Sequence, residues 1–392
     1  MAKTPTTRLD LVTIEGLTGE FGLLTLDHPT SSANLLSSQT VSEIEAHLDA
    51  LAGQELAGVV IVSAKPGMFI AGADLTEFAA SVDQPKEEVI AVSRRGQEVF
   101  ARLAALPCVT IAAIDGICVG GGAELAVWCD RRIMTDSRKT QFGFPEVKLG
   151  LFPGWGGTAR TPRMIGLANA VELVTGGENV DAAEAYKLGF ADDVVTSGRG
   201  EEDKAETPAG FAGASHLPPA ATGLLHAAVR MINAEQTSGQ YLEDRKRWSQ
   251  PIEMSETELA FLGATASAVI QQKTAGNYPA PMAALELMLE ASQLDLQAAS
   301  QRESEAFAPL FGSPVNRALL NVFFLTDRAK KESLPDPQPT VPTSVSVIGA
   351  GTMGQGIAAA NVKRGVSVVL SDSRPEALAA GVSSVIGEAS YD

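Results

Sequence analysis

Three short apolar runs, residues 21–27, 58–63 and 109–114, are bounded by polar or glycine positions and read as buried strands. Helical stretches lie between them. In residues 42–51 the apolar positions Ile44, Leu48 and Leu51 recur at helical spacing, and residues 85–106 open with Pro85 followed by Lys86, Glu87 and Glu88, a suitable first turn. This alternation predicts an α/β domain over residues 1–195. Residues 196–332 change character. They begin with a stretch to Gly223 rich in Gly, Ala, Pro and charge, expected to be a flexible surface segment. From 224 to 331 the pattern is helical, with clear periodicity over 256–273, 282–301 and 315–330. Residues 333–343 carry Pro335, Pro337, Pro339 and Pro342 and read as a stiff linker. Residues 344–392 then show a strand, a glycine-rich turn, a helix and a second strand.

The composition narrows the functional classes. Of 392 residues, 45% are hydrophobic and 20% charged, which is globular. The net charge of −17 excludes nucleic acid or an anionic membrane surface as the main partner. Any phosphate-bearing ligand must therefore be held by local N–H groups or a few cations. Three cysteines (Cys108, Cys118 and Cys129) share one apolar segment and suit a reducing compartment. The four histidines show no metal-ligand spacing, so no metal site is expected. The first ten residues have neither an apolar signal core nor an Arg-rich amphipathic stretch, and a cytoplasmic location is expected. The apolar stretch 109–127 contains Asp115, Glu124 and a glycine triplet, and reads as core instead of a membrane span.

Gly120-Gly-Gly-Ala-Glu-Leu-Ala126 follows the strand at 109–114 and opens a helix. Unpaired N–H groups at a helix start favour an oxygen that gains negative charge during reaction. The plainer alternative is a tight packing turn, with Glu124 simply suited to a helix N-terminus. Two further segments bear on that choice: Met68-Phe-Ile-Ala-Gly-Ala-Asp-Leu75, and residues 141–157, where Glu146 precedes the glycine-dense Pro-Gly-Trp-Gly-Gly turn. Together, and in this order, the three segments resemble the crotonase (enoyl-CoA hydratase/isomerase) superfamily over most of residues 8–190. The resemblance implies a repeated ββα spiral fold and an acyl-CoA thioester substrate. It implies an oxyanion hole from the N–H groups of Ala73 and Gly121, and catalytic roles for Glu124 and Glu146. Both glutamates together favour hydration of a 2-enoyl-CoA, whereas related isomerases generally need only the second; isomerase, hydrolase and non-catalytic scaffold are the rivals. Glu124 and Glu146 are spaced slightly more widely than in relatives, and the extra residues fall in 131–140, expected to be a surface strand and turn. Asp74 is expected to pair within its own turn, Trp155 to serve packing, and Cys118 and Cys129 to be small core residues. Lys65, Arg94, Arg95 and Lys148 are candidates for coenzyme A phosphates, though each also reads as a solvated surface charge.

The segment after 344 runs from a strand into G-x-G-x-x-G, with Gly349, Gly351 and Gly354, and a second strand ends at Asp372. Strand, glycines, helix and acid in this spacing predict a dinucleotide site, with Asp372 on the adenosine ribose and NAD favoured over NADP. The alternative is a glycine-rich turn in an unrelated α/β domain. Only the first part of a Rossmann fold fits before Asp392, so the sequence is expected to be a fragment whose dehydrogenase is inactive. The whole order resembles the alpha-subunit family of the fatty acid oxidation complexes, and residues 277–281 and 318–324 look like that family's linker segments. This resemblance implies fatty acid β-oxidation, a 3-hydroxyacyl-CoA dehydrogenase using NAD, an added enoyl-CoA isomerase activity, an oligomer and a thiolase beta subunit as partner.

Overall fold

The structure, a computed structural model, describes residues 4–197, 217–331 and 342–390. It divides into two compact units, Met1–Leu325 and Thr326–Asp392.

The first unit is built on a six-stranded sheet of β1 (Thr7–Val12), β2 (Glu20–Leu26), β3 (Leu56–Ser63), β5 (Val109–Ile114), β7 (Arg131–Thr135) and β10 (Asp193–Val195), in that spatial order. Only β1 and β2 are antiparallel. A second sheet orders the short strands β4 (Met68–Ile70), β6 (Ile117–Val119), β8 (Gln141–Gly143) and β9 (Asn179–Asp181). Each of β3, β5 and β7 is followed by a strand of the smaller sheet and then by helix, so the chain winds in successive ββα turns. The helices named below are α1 (Ser38–Leu51), α2 (Leu75–Ser81), α3 (Lys86–Ala104), α4 (Gly121–Trp128) and α5 (Gly157–Ile165). All residues of β3 and β5 are buried, as expected for parallel strands covered on both faces. That is why these strands read as unbroken apolar runs. The stretch 109–127 falls across β5, β6 and α4 inside this core, and among the described residues no helix is long and apolar enough to cross a membrane.

Three expectations need correction. First, residues 219–223 are helical: the helix Pro219–Ser238 begins there, with Pro at its first position, and buries Leu224, Leu225 and Ile232 against the sheet. The rest of that segment, 198–216, and the proline-rich 333–341 lie outside the described residues. Second, 282–301 is two helices, Pro279–Ala291 and Leu296–Phe307. Asp295 caps the second by accepting from the Ala298 N–H at 2.8 Å. The break is held from outside: Arg163 donates to the carbonyls of Ala291 (3.2 Å) and Leu294 (2.6 Å), and the Ile252 N–H reaches Ser292 O at 2.7 Å. Third, the strand in 131–140 is not at the surface. β7 lies between β5 and β10 with every residue buried, and only the turn at 136–139 meets solvent.

Buried charges fasten the later helices to the sheet. Arg245, on the helix Gln240–Trp248, makes a bidentate pair with Asp130 at 2.7 and 2.6 Å, and Asp130 also accepts from the Thr110 N–H and hydroxyl. Arg131 pairs with Glu235 at 2.5 Å and Asp244 at 2.9 Å.

The second unit pairs β11 (Ser344–Ile348) in parallel with β12 (Ser367–Ser371). The helices Thr352–Val362 and Pro375–Ser390 cover one face, enclosing Val347, Ala358, Ala359 and Val385. This is the opening of a Rossmann fold.

Removing one partner of a buried ion pair strands the other charge, at a typical cost of about 3–5 kcal/mol. Asp130→Ala is therefore expected to lower the thermal midpoint of the first unit strongly, whereas Arg8→Ala, at an exposed pair with Asp10, changes it little. Comparing the two melting curves checks this.

Candidate active site

The turn after β4 carries the first component. Gly72 has φ +105°, which permits the chain to reverse beside Leu36. A parallel bridge joins Leu36 to this turn: the Leu36 N–H donates to Gly72 O (2.9 Å), and the Asp74 N–H to Leu36 O (3.3 Å). In such a bridge the intervening residue turns its own N–H to the other side, so the Ala73 N–H has no partner among the described residues. Asp74 then caps α2, its carboxylate accepting from the N–H groups of Thr76 and Glu77, as expected of an acid serving its own turn.

The second component is the start of α4. Gly120 has φ +56°, and the Gly121 N–H, at the first helical position, is likewise unpartnered. A Cβ at Gly122 would lie 2.6 Å from Ile70, so the triplet also serves close packing. The triplet thus leaves the N–H of Gly121 free and packs closely at Gly122.

Ala73 and Gly121 line one cavity of about 550 Å³, together with Glu124 and Glu146. All four site residues expected from the sequence for the first unit are thus brought to one place. The remaining wall is mostly apolar and includes Phe78, Phe152, Trp155, Phe307 and Phe311.

The two carboxyl groups differ in their support. Glu124 Oε1 accepts from the N–H groups of Trp155 (2.6 Å) and Gly157 (3.0 Å). Glu146 sits in the one-turn 3₁₀ segment Pro145–Leu149, and its Oε2 is buried with no hydrogen-bond partner among the described residues. Burial raises both carboxyl groups above their ordinary range, Glu146 to about 8, and the charges of Glu146 and Glu303 push Glu124 higher still. Such a pair titrates as a unit. The N–H groups of Trp155 and Gly157 favour the charged form of Glu124 and oppose that rise.

Glu303, which local sequence patterns did not single out, is a third buried carboxyl. It comes from the helix Leu296–Phe307 and accepts from the N–H groups of Gly156 (2.5 Å), Thr158 (2.9 Å) and Ala159 (3.1 Å), and from the Thr158 hydroxyl. Gln97 of α3 also donates to it, at 3.0 Å. Its separation in sequence from α5 left no local signal.

Trp155 is packed edge-on against Phe100, as a packing residue should be, and it forms cavity wall as well. Its carbonyl accepts from the Trp128 indole at 2.7 Å. Cys118 and Cys129 are free and buried, and burial pushes the Cys129 thiol up to about 12, unlike a nucleophile. Of the four candidate cations, Arg95 and Lys148 are exposed in ion pairs with Glu45 and Glu178, and Arg94 is half-buried and paired with Glu305. Lys65 is largely covered, bound to Asp27 and to His28 O. Lys148 alone among them lines the cavity. No cluster of potential metal ligands occurs among the described residues.

Comparison with known proteins agrees with this geometry. Residues 19–247 match the family described as enoyl-CoA hydratase/isomerase. The chain belongs to that family. Residues 344–390 match the NAD binding domain of 3-hydroxyacyl-CoA dehydrogenase, so this enoyl-CoA hydratase/isomerase family member has the domain order of a fatty acid oxidation alpha-subunit type multifunctional protein. Similar solved structures include a human mitochondrial delta3-delta2-enoyl-CoA isomerase (20% identity, TM-score 0.53, covering 83% of this chain and 100% of that one). An enoyl-CoA hydratase/isomerase from Xanthobacter autotrophicus Py2 has 21% identity and TM-score 0.50, covering 84% and 100%. An enoyl-CoA hydratase from Mycobacterium avium subsp. paratuberculosis K-10 has 21% identity and TM-score 0.50, covering 82% and 100%. These likenesses concern the fold.

The second unit suits the dinucleotide its family binds. Gly349 has φ +101°, and a Cβ on Gly354 would lie 1.8 Å from Gly349 O, so strand and helix meet only with glycine there. A Cβ on Gly351 would meet no protein atom within 4 Å, which leaves open space at the helix N-terminus for a pyrophosphate. Asp372 accepts from the Ala350 N–H at 2.8 Å and the Arg374 N–H at 2.9 Å, which hold its carboxylate below the ordinary range at the end of β12.

The raised titration of Glu146 has a thermodynamic consequence. The folded protein keeps a proton that the unfolded chain releases near 4.5, so this group costs stability progressively as pH rises from about 4.5 to about 8. Glu146→Gln is therefore expected to raise the melting temperature by several degrees at pH 8 and by much less at pH 5. Melting curves of variant and wild type at the two pH values check this.

Proposed function

We propose that the first unit hydrates a 2-enoyl-CoA to a 3-hydroxyacyl-CoA. The observation that carries this reading is the convergence of two buried carboxyl groups and two unpartnered N–H groups on one apolar-walled cavity. The N–H groups of Ala73 and Gly121 hold the thioester oxygen and stabilise the enolate that forms when C3 is attacked. Glu124, as carboxylate, takes a proton from a water over C3. The water oxygen bonds to C3, the double-bond electrons move into the enolate, and Glu146 gives its proton to C2. The phenylalanine wall suits an acyl chain, and excluding water there strengthens each of these interactions.

The product is the substrate class of an NAD-dependent 3-hydroxyacyl-CoA dehydrogenase, which joins the two units in one sequence of reactions, fatty acid β-oxidation. When bound, NAD supplies a hydride acceptor; Gly351 and the helix start after it would hold the pyrophosphate, and Asp372 the adenosine ribose. Tethering raises the local concentration of the intermediate. A thiolase beta subunit as partner, an oligomeric assembly and a cytoplasmic location complete the proposal, the last in keeping with three free, buried cysteines.

A second reading, migration of the double bond between C3 and C2, is favoured by the freedom of Glu146 Oε2. One unpartnered carboxyl group is enough to carry a proton between the two carbons.

Loss of conjugated thioester absorbance from crotonyl-CoA tests the first reading. Wild type is expected to react, and E124Q and E146Q are each expected to lose on the order of 10²–10⁴-fold in kcat. Full activity in the double variant would remove both residues from the mechanism. With a 3-enoyl-CoA, E124Q is expected to retain isomerisation while E146Q loses it. Hydration is expected to fade as pH rises past about 8, where Glu146 loses its proton.

A further inference from the structure

The turn that grips Glu124 is itself gripped from the other side. Five consecutive residues, Trp155 to Ala159, open α5, and two buried carboxylates divide their N–H groups. Glu124 takes those of Trp155 and Gly157. Glu303 takes those of Gly156, Thr158 and Ala159. Every polar neighbour of Glu303 donates to it, the Thr158 hydroxyl and the Gln97 amide included, and the residue is fully buried. Burial raises the affinity of Glu303 for a proton, but its three main-chain N–H groups and the Gln97 amide can only donate, so the geometry favours the carboxylate. Gln97 also donates to the carbonyls of Gly154 (3.3 Å) and Ser300 (2.9 Å), and Ser93 to Gly154 O (2.5 Å), so the turn is held from Gly154 onward. A Cβ at Gly157 would lie 3.1 Å from Glu124 Oε1, so the turn backbone passes directly against that carboxylate.

We propose that Glu303 is a positioning residue for the reaction at Glu124. Its carboxylate, supplied by the helix Leu296–Phe307, fixes the Trp155–Ala159 turn so that alternate N–H groups aim at Glu124. Without it the turn can rotate, and the two N–H groups that orient Glu124 lose their aim. The helical segment thereby completes a site whose two catalytic carboxyl groups and two free N–H groups lie before residue 160. This rests on the hydratase reading for its kinetic consequence, but not for its structural one.

The test uses the full chain carrying Glu303→Gln, which keeps the shape while setting an amide NH₂ against N–H donors. Two quantities are read. The first is hydration of crotonyl-CoA: kcat is expected to fall at least about tenfold, since a misplacement of about 1 Å can cost on the order of 10²-fold, while KM stays within about threefold. The second is amide exchange by NMR at Trp155 and Gly157, which Glu303 does not touch: exchange is expected to quicken at least about tenfold in the variant. If Glu303→Gln does not fold, Gln97→Leu, which removes one donor and leaves the carboxylate, is read in the same two ways, with smaller effects in the same direction. Should wild type prove inert to enoyl-CoA while the Trp155 and Gly157 amides still loosen, the hydratase reading falls and the positioning role stands. Unchanged protection of those two amides in a folded Glu303→Gln protein overturns the proposal, as does kcat within twofold of wild type.

Discussion

The structure around the cavity depends on one shared resource: the free N–H groups at the start of α5. A helix N-terminus leaves its first donors unpaired, and burial makes an unpaired donor costly. Here two buried glutamates answer that need, and the same bonds answer the opposite need of burying carboxylates. Neither requirement is met alone. The glycine-dense Pro153-Gly-Trp-Gly-Gly157 sequence follows from it. Gly156 has φ +107°, and a Cβ there would lie 2.4 Å from the Trp128 indole. A Cβ on Gly157 would meet Pro153 at 2.4 Å.

Glu146 stands in contrast. Its one backbone donor is its own N–H, and its buried Oε2 is left without a protein partner among the described residues. Stability alone would replace it. An arrangement that gives one carboxyl two main-chain donors and leaves a buried oxygen of its neighbour with none treats the two groups unequally, as division into a base and an acid requires. The cost to the fold and the gain to the chemistry are the same fact.

Much of this was legible in the sequence, because its causes are local. β3 and β5 read as strands since residues covered on both faces must be apolar throughout. Gly349, Gly351 and Gly354 read as a nucleotide turn since strand spacing and steric need are both short-range. Ala73, Gly121, Glu124 and Glu146 were legible through motif order, although nothing in their spacing shows that they meet. The misreadings share the opposite cause. Periodicity continues smoothly through 292–295, and the helix stops there because Arg163 and Ile252, far away in sequence, take its carbonyls. β7 carries Arg131 and Arg132 and so reads as surface, yet both are buried because Glu235, Asp244 and Asp192 meet them. Glu303 looks like any acid on an amphipathic helix until the fold brings α5 to it.

The claim on which the account turns is that both carboxyl groups face a single reacting oxygen while two main-chain donors hold the thioester. A crystal structure of the full chain with 3-hydroxybutyryl-CoA measures this directly. The account predicts the C3 hydroxyl within hydrogen-bond distance of both Glu124 and Glu146, and the thioester oxygen about 3 Å from the nitrogens of Ala73 and Gly121. A thioester oxygen bound away from those nitrogens, or a hydroxyl that reaches neither glutamate, would contradict it.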